Sequence, residues 1–218
     1  MSTYNQISQF TSQQDVTLVA VSKTKPIEAI KQMYDQGQRV FGENRVQELE
    51  EKYLALPKDI QWHLIGHLQK NKVKYIAPFV SMIHSVDSLE LLEIINKEAV
   101  KADRIISVLL QFYIAKEDTK FGLSEAEGLA LLDQLVEKPL TNIKICGVMG
   151  MASFSDDKAL VRSEFQNLKN IFAQLKNKYF AADDAFKEVS MGMSGDYELA
   201  IEEGSTMVRI GSALFGSR

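Results

Sequence analysis

Apolar residues in this chain gather in short runs, and between the runs they recur at three- and four-residue spacing. The runs at 17–22, 40–43, 61–66, 82–86, 105–114, 143–149, 188–192 and 207–211 predict strands. The stretches at 26–36, 45–55, 68–77, 88–101, 124–136, 157–178 and 195–202 predict amphipathic helices. Local signals mark several helix starts. Ser124 is followed three residues later by Glu127, the pattern of a capping box. Ser88 precedes a stripe of Leu91, Leu92, Ile94 and Ile95, and Pro26 suits a first helical turn. The polar segment 1–14 has no apolar core, and no element is read there.

Strands alternating with helices, without Gly-, Pro- or Ser-rich linkers, predict an all-parallel sheet clothed by helices. Eight such repeats in 218 residues fit a closed (β/α)8 barrel, read as one domain over 1–218. An open doubly wound sheet is the competitor. It is the weaker reading because no G-x-G-x-x-G follows the first strand.

Composition narrows the functional classes. A net charge of −4 argues against non-specific nucleic-acid binding, which depends on many phosphate contacts. One cysteine, Cys146, rules out an intrachain disulfide, and its apolar neighbours read it as a buried small hydrophobe. No secretory leader and no run of ~20 apolar residues is present, so a cytoplasmic protein without a membrane span is expected.

Side-chain alternation organises the chemistry-bearing residues. Val19, Val21 and Lys23 share one strand face, which directs Lys23 into a barrel mouth or into solvent at a strand end. In an apolar mouth its neutral amine would be favoured, as Schiff-base chemistry requires. Met207, Arg209 and Gly211 share a face of the last strand. Arg209 suits a phosphate contact, with a buried ion pair to a carboxylate such as Glu43 as the alternative. Gly211 and Ser212 can offer backbone N–H groups to an anion, and Ser194-Gly195 can open a helix toward the same ligand. Asn44 follows the second strand and suits the edge of a bound ring. A strand-end lysine beside a phosphate cradle is what an aldehyde-bearing phosphate cofactor needs.

Other groups read as structural. His63, His67 and His84 carry no zinc pattern, and no metal site is expected; His84 remains a possible mouth residue. Asp118, Asp156, Asp157, Asp183 and Asp184 read as cap and loop residues. Lysines 70–74 read as a solvated helix face.

Six segments carry a family resemblance: VAVSKTKP (19–26), FGENRVQE (41–48), WHLIGHLQKNK (62–72), IHSVDS (83–88), SMGMSGDYELAI (190–201) and GSTMVRIGSALFG (204–216). The sequence resembles the pyridoxal phosphate homeostasis protein family (YggS/PROSC-like). The resemblance implies a barrel like the alanine racemase N-terminal domain, without that enzyme's second domain. It implies pyridoxal 5′-phosphate held as a Schiff base on Lys23, with Arg209, Gly211, Ser212 and Ser194 at the phosphate. Asn44 and His84 then lie near the ring. Departures occur at Arg45, Phe112-Tyr113 and 149–152, where the family more often has other residues. The implied role is a non-catalytic, monomeric carrier in transient contact with apo-enzymes. The alternative is a racemase or other pyridoxal-phosphate enzyme, and a third class is an RNA- or protein-binding barrel.

Overall fold

The computed structural model describes residues 3–115 and 121–216. Its strands are β1 (Thr17–Val21), β2 (Val40–Glu43), β3 (Gln61–Leu64), β4 (Met82–Val86), β5 (Ile106–Gln111), β6 (Ile143–Met149), β7 (Glu188–Ser190) and β8 (Met207–Ile210). They pair in parallel in chain order, and β8 returns to β1 with Ala20 opposite Ile210, closing the barrel. The helices are α1 (Thr3–Gln13), α2 (Ile27–Asp35), α3 (Val46–Ala55), α4 (Val73–Ile76), α5 (Leu89–Lys101), α6 (Glu125–Glu137), α7 (Lys158–Tyr179), α8 (Tyr197–Glu202) and α9 (Ser212–Phe215).

Alternation along the strands produces two environments. Leu18, Ala20, Phe41, Trp62, Ile83, Val108, Val189 and Ile210 join one core with helix residues such as Ile30, Leu49, Ile95 and Phe165. These positions face the helices. The alternate positions fill the barrel, where Met82, Leu109, Cys146 and Met149 form a separate apolar cluster. His63, His84, Ser190 and Arg209 share that interior and are buried too.

The strand phase is maintained by a bulge in β6. Gly147 has φ +153°, and a Cβ there would lie 1.8 Å from the Glu188 carbonyl oxygen, so only glycine allows β7 this close. The bulge moves the register between Val108 and Leu109 and lets both Cys146 and Met149 face inward.

Several segments differ from the sequence reading, among them the short α9, which was not expected, and β3 and β7, which end two residues early. Residues 3–13 form α1, because Tyr4, Ile7 and Thr11 make a narrow buried stripe and Phe10 meets the Tyr197 ring edge-on at 6.1 Å. A stripe this narrow is masked by its polar neighbours. The helix expected over 68–77 is instead a 3-10 turn, Lys70–Lys72, leading into the four-residue α4. Only Val73 and Ile76 offer α4 a buried face. The fifth strand ends at Gln111, beyond which Phe112 makes a single bridge to Leu123. Finally, α8 begins at Tyr197. The Asp196 carboxylate accepts the Met193 N–H, which winds Ser194 and Gly195 into a turn ahead of the helix.

The capping box at Ser124 and Glu127 forms as expected, and Ser88 caps α5 through the Leu91 N–H. No helix among the described residues is long and apolar enough to cross a membrane.

Candidate functional site

The C-terminal ends of the strands form the barrel mouth, the face on which barrel enzymes carry their sites. β1 stops at Val21, so Lys23 lies in the turn that follows, half-buried, and its side chain makes no hydrogen bond or ion pair with the described residues. The turn is closed by the Lys25 N–H donating to the Ser22 carbonyl at 3.0 Å. Thr24 stands in the left-handed region with φ +63°. Lys23 is therefore held on a bent, fixed turn, with partial exposure in place of an enclosed apolar setting.

The neighbouring strand supplies the second half. Beyond β8, the N–H groups of Gly211 and Ala213 both donate to Ser194 Oγ, at 3.2 and 3.3 Å. Two amides converging on one oxygen are the donor set an anionic oxygen takes. A Cβ at Gly211 would stand 3.3 Å from Val21 Cβ and from the Val21 carbonyl, so this loop lies tight against β1. Lys25 Nζ joins the two loops directly, donating to the Phe215 and Gly216 carbonyls at 3.1 Å each. Ser212, one residue from both converging amides, is exposed at the start of α9.

Arg209 lies below this cradle. The residue is 4% exposed, and its guanidinium donates to Ser190 Oγ at 2.6 Å and to the Gly150 carbonyl at 3.0 Å. It pairs with Glu43 in no way; Glu43 faces the helices and is bonded to Lys52. Burial draws the Arg209 pKa down to about 10, with the Asp196 carboxylate acting in the opposite direction.

A polar chain continues through the barrel from there. Ser190 Oγ lies 3.2 Å from His84 Nδ1, and His84 Nε2 lies 2.9 Å from His63 Nδ1. Arginine only donates, so Ser190 accepts from it and has its own proton to give to His84. Every bond is then satisfied when both imidazoles are neutral and carry their proton on Nε2. Burial holds His63 down at about 4. His84 lies well below its usual value, first from burial and then from the His63 and Arg209 charges. Both nitrogens of His84 are committed inside the barrel, to Ser190 and to His63, near the Arg209 charge.

Asn44 lies half-buried at the mouth, packed against Gly66, where a Cβ would fall 2.4 Å from the Asn44 carbonyl oxygen. His67 is exposed, 3.9 Å from Asp87. Cys146 is buried, and burial raises its thiol pKa. Asp157 caps α7 and Asp183 accepts the Ala185 N–H, whereas Asp118 lies outside the described residues. Among the described residues no cluster suits a metal ion.

Sequence reasoning missed Ser190, Lys25, Lys52 and the partnership of His63 with His84. Ser190 carried one signal, a hydroxyl between Val189 and Met191 in an otherwise apolar strand. The other three are joined across elements and leave no local pattern.

The model of the alanine racemase N-terminal domain family matches residues 2–218. A protein of Aquifex aeolicus (strain VF5) named pyridoxal phosphate homeostasis protein is 42% identical over 202 residues, covering 92% of this chain and 86% of the relative. The human protein of the same name is 39% identical over 211 residues, covering 92% and 76%. The chain belongs to the pyridoxal phosphate homeostasis protein family. Among solved structures, PipY of Synechococcus elongatus PCC7942, a protein with PLP bound, matches at 37% identity and TM-score 0.87. That match covers 99% of this chain and all of PipY. Alanine racemase from Bartonella henselae is 17% identical with TM-score 0.71, and 58% of its length is covered. With that enzyme the family shares a fold.

Proposed function

We propose that this chain binds pyridoxal 5′-phosphate at the barrel mouth and takes part in its intracellular homeostasis. Lys23 holds the aldehyde carbon as a Schiff base, one water leaving as the C–N bond forms. The cofactor carries a reactive aldehyde and a dianionic phosphate, and the ends of two adjacent strands, β1 and β8, offer one group for each.

The observation that carries this reading is the adjacency of β1 and β8. The half-buried Lys23 turn, whose amine makes no bond with the described residues, lies beside two backbone amides that converge on one oxygen. Gly211, Ser194 and Ser212 are proposed at the phosphate, and Asn44 at the ring edge. Arg209 supplies buried positive charge beneath an anionic ligand, held there by Ser190 and backed by His84. PipY, with PLP bound, and relatives bearing the homeostasis name support the choice of cofactor.

The role proposed is a carrier or buffer without turnover, monomeric, meeting apo-enzymes transiently. The homeostasis name of the relatives favours it over a racemase. The test is the visible spectrum of wild type and Lys23→Ala with added cofactor, followed by borohydride. Wild type alone should show a Schiff-base band and a reduced adduct on Lys23. Neither band nor adduct in wild type overturns the reading. Lys23-dependent loss of α-deuterium from an amino acid overturns the carrier role in favour of an enzyme, and sedimentation decides the monomer.

A further inference from the structure

Behind the Lys23 turn, on the helix side of the barrel, lies a buried cluster of charge. Glu43 and Ser22 occupy outward positions at the ends of β2 and β1, where Val21 pairs with Gly42. Both are fully buried. Lys52, from α3, has a side chain only 6% exposed. Its ammonium donates to the Ser22 carbonyl at 2.7 Å, to Glu43 Oε1 at 2.6 Å and to Glu48 Oε1 at 2.7 Å. All three of its protons are thereby used. Ser22 Oγ donates to the same Glu43 oxygen, and the Thr24 N–H donates to Glu48 Oε1.

This cluster is an unusual thing to bury. An apolar residue at 52 would occupy the same buried site without desolvating an ammonium, and replacing a whole buried ion pair by apolar residues is often neutral or stabilising. Glu43 retains one oxygen, Oε2, that is buried without a partner. The arrangement is thus poorly explained as a source of stability. Its contacts explain it better. They fall on residues 22 and 24, the two that flank Lys23, and on Lys23 itself none falls. Thr24 has the left-handed backbone that non-glycine residues avoid, so something must hold it there, and the Glu48 carboxylate bonds its N–H.

We infer that Glu43, Lys52 and Glu48 are positioning residues, which fix the turn so that the Lys23 amine points into the mouth while its side chain stays free of partners. The inference rests on the Schiff-base reading for its functional half. Pre-ordering the turn removes an ordering cost that binding would otherwise meet. That gain applies only to a ligand that bonds to Lys23. A phosphate ligand lacking the aldehyde uses the cradle alone.

The experiment compares wild type, Glu48→Gln and the paired Glu43→Gln/Lys52→Met. The first variant keeps shape and changes one acceptor; the second removes the buried Glu43–Lys52 pair as a unit, and leaves the partly exposed Glu48 carboxylate with its bond from the Thr24 N–H but without the Lys52 ammonium. Hydrogen exchange at the Thr24 amide is measured by NMR, together with affinities for pyridoxal 5′-phosphate and pyridoxamine 5′-phosphate, which has no aldehyde. Faster Thr24 exchange is expected in both variants, with affinity for the aldehyde ligand reduced roughly tenfold, the loss of about one charge-assisted bond. Affinity for the amine ligand should stay as in wild type. Unchanged Thr24 exchange overturns the inference, and so does an equal loss for both ligands, which would mark the cluster as merely structural. If wild type takes no borohydride-fixed adduct on Lys23, the Schiff-base reading fails instead, while Thr24 exchange still decides whether the cluster holds the turn.

Discussion

Replacing Ser190 by alanine removes one oxygen from the centre of the barrel and separates Arg209 from His84. Ser190 has no solvent exposure, and its Oγ bridges Arg209 Nη1 at 2.6 Å and His84 Nδ1 at 3.2 Å. The bond from the guanidinium is charge-assisted, a class worth about 1.5–3 kcal/mol, and the bond to neutral His84 adds roughly 0.5–1.5 kcal/mol. A small part returns because alanine has no hydroxyl to desolvate. The net expectation is a loss of about 2–4 kcal/mol, equivalent to a Tm lower by roughly 5–15 °C in a protein of this size. Urea unfolding at pH 7.5 measures it, read as a lower midpoint at unchanged slope. A loss under about 1 kcal/mol would refute the reasoning, because it would mean the buried guanidinium does not depend on this oxygen.

His63, held at about 4 against an ordinary 6.5, takes up its proton first in the unfolded chain. Its contribution is therefore intact above pH 6.5 and is lost as pH falls toward 4, costing about 2 kcal/mol at pH 5. His84 acts in the same direction, whereas Glu43, raised by burial, acts in the opposite one. The measurement is accordingly a difference: between pH 7.5 and 5, wild type should lose more stability than His63→Gln, and identical losses would sink the argument. Gly147→Ala places a Cβ 1.8 Å from the Glu188 carbonyl at φ +153°, so soluble expression and a native circular dichroism spectrum should both be lost. Ser124→Ala removes one half of the capping box on α6 and should cost ~1 kcal/mol in urea unfolding, without altering the absorbance of added cofactor.

Much of this protein was legible from periodicity. Strand positions were readable because apolar runs such as 18–21 are buried on both faces, as a filled barrel clothed by helices requires. Caps at Ser88 and Ser124 were readable because they depend on residues three apart. Lys23, Ser194 and Gly211 were also within reach, since small residues and a lysine at strand ends are local features. The narrow stripe of α1 was not, because Tyr4, Ile7 and Thr11 are too few to stand out among polar neighbours.

Closure of the barrel decided the rest. Lys25 and Phe215 are 190 residues apart in the chain, yet β8 returning to β1 brings them to 3.1 Å and sets the lysine turn against the converging amides. The orientation of Arg209 followed from the same cause. Its strand face was readable, but whether it met a carboxylate, a phosphate or a serine depended on which strands became neighbours across the interior. Burial then determined the charge states: neutral imidazoles at His63 and His84, and a paired Lys52 behind the turn. Strand phase and turn chemistry are local and so belong to the sequence. Partners across the barrel, and the desolvation that sets their protonation, exist only once the first and last strands have met.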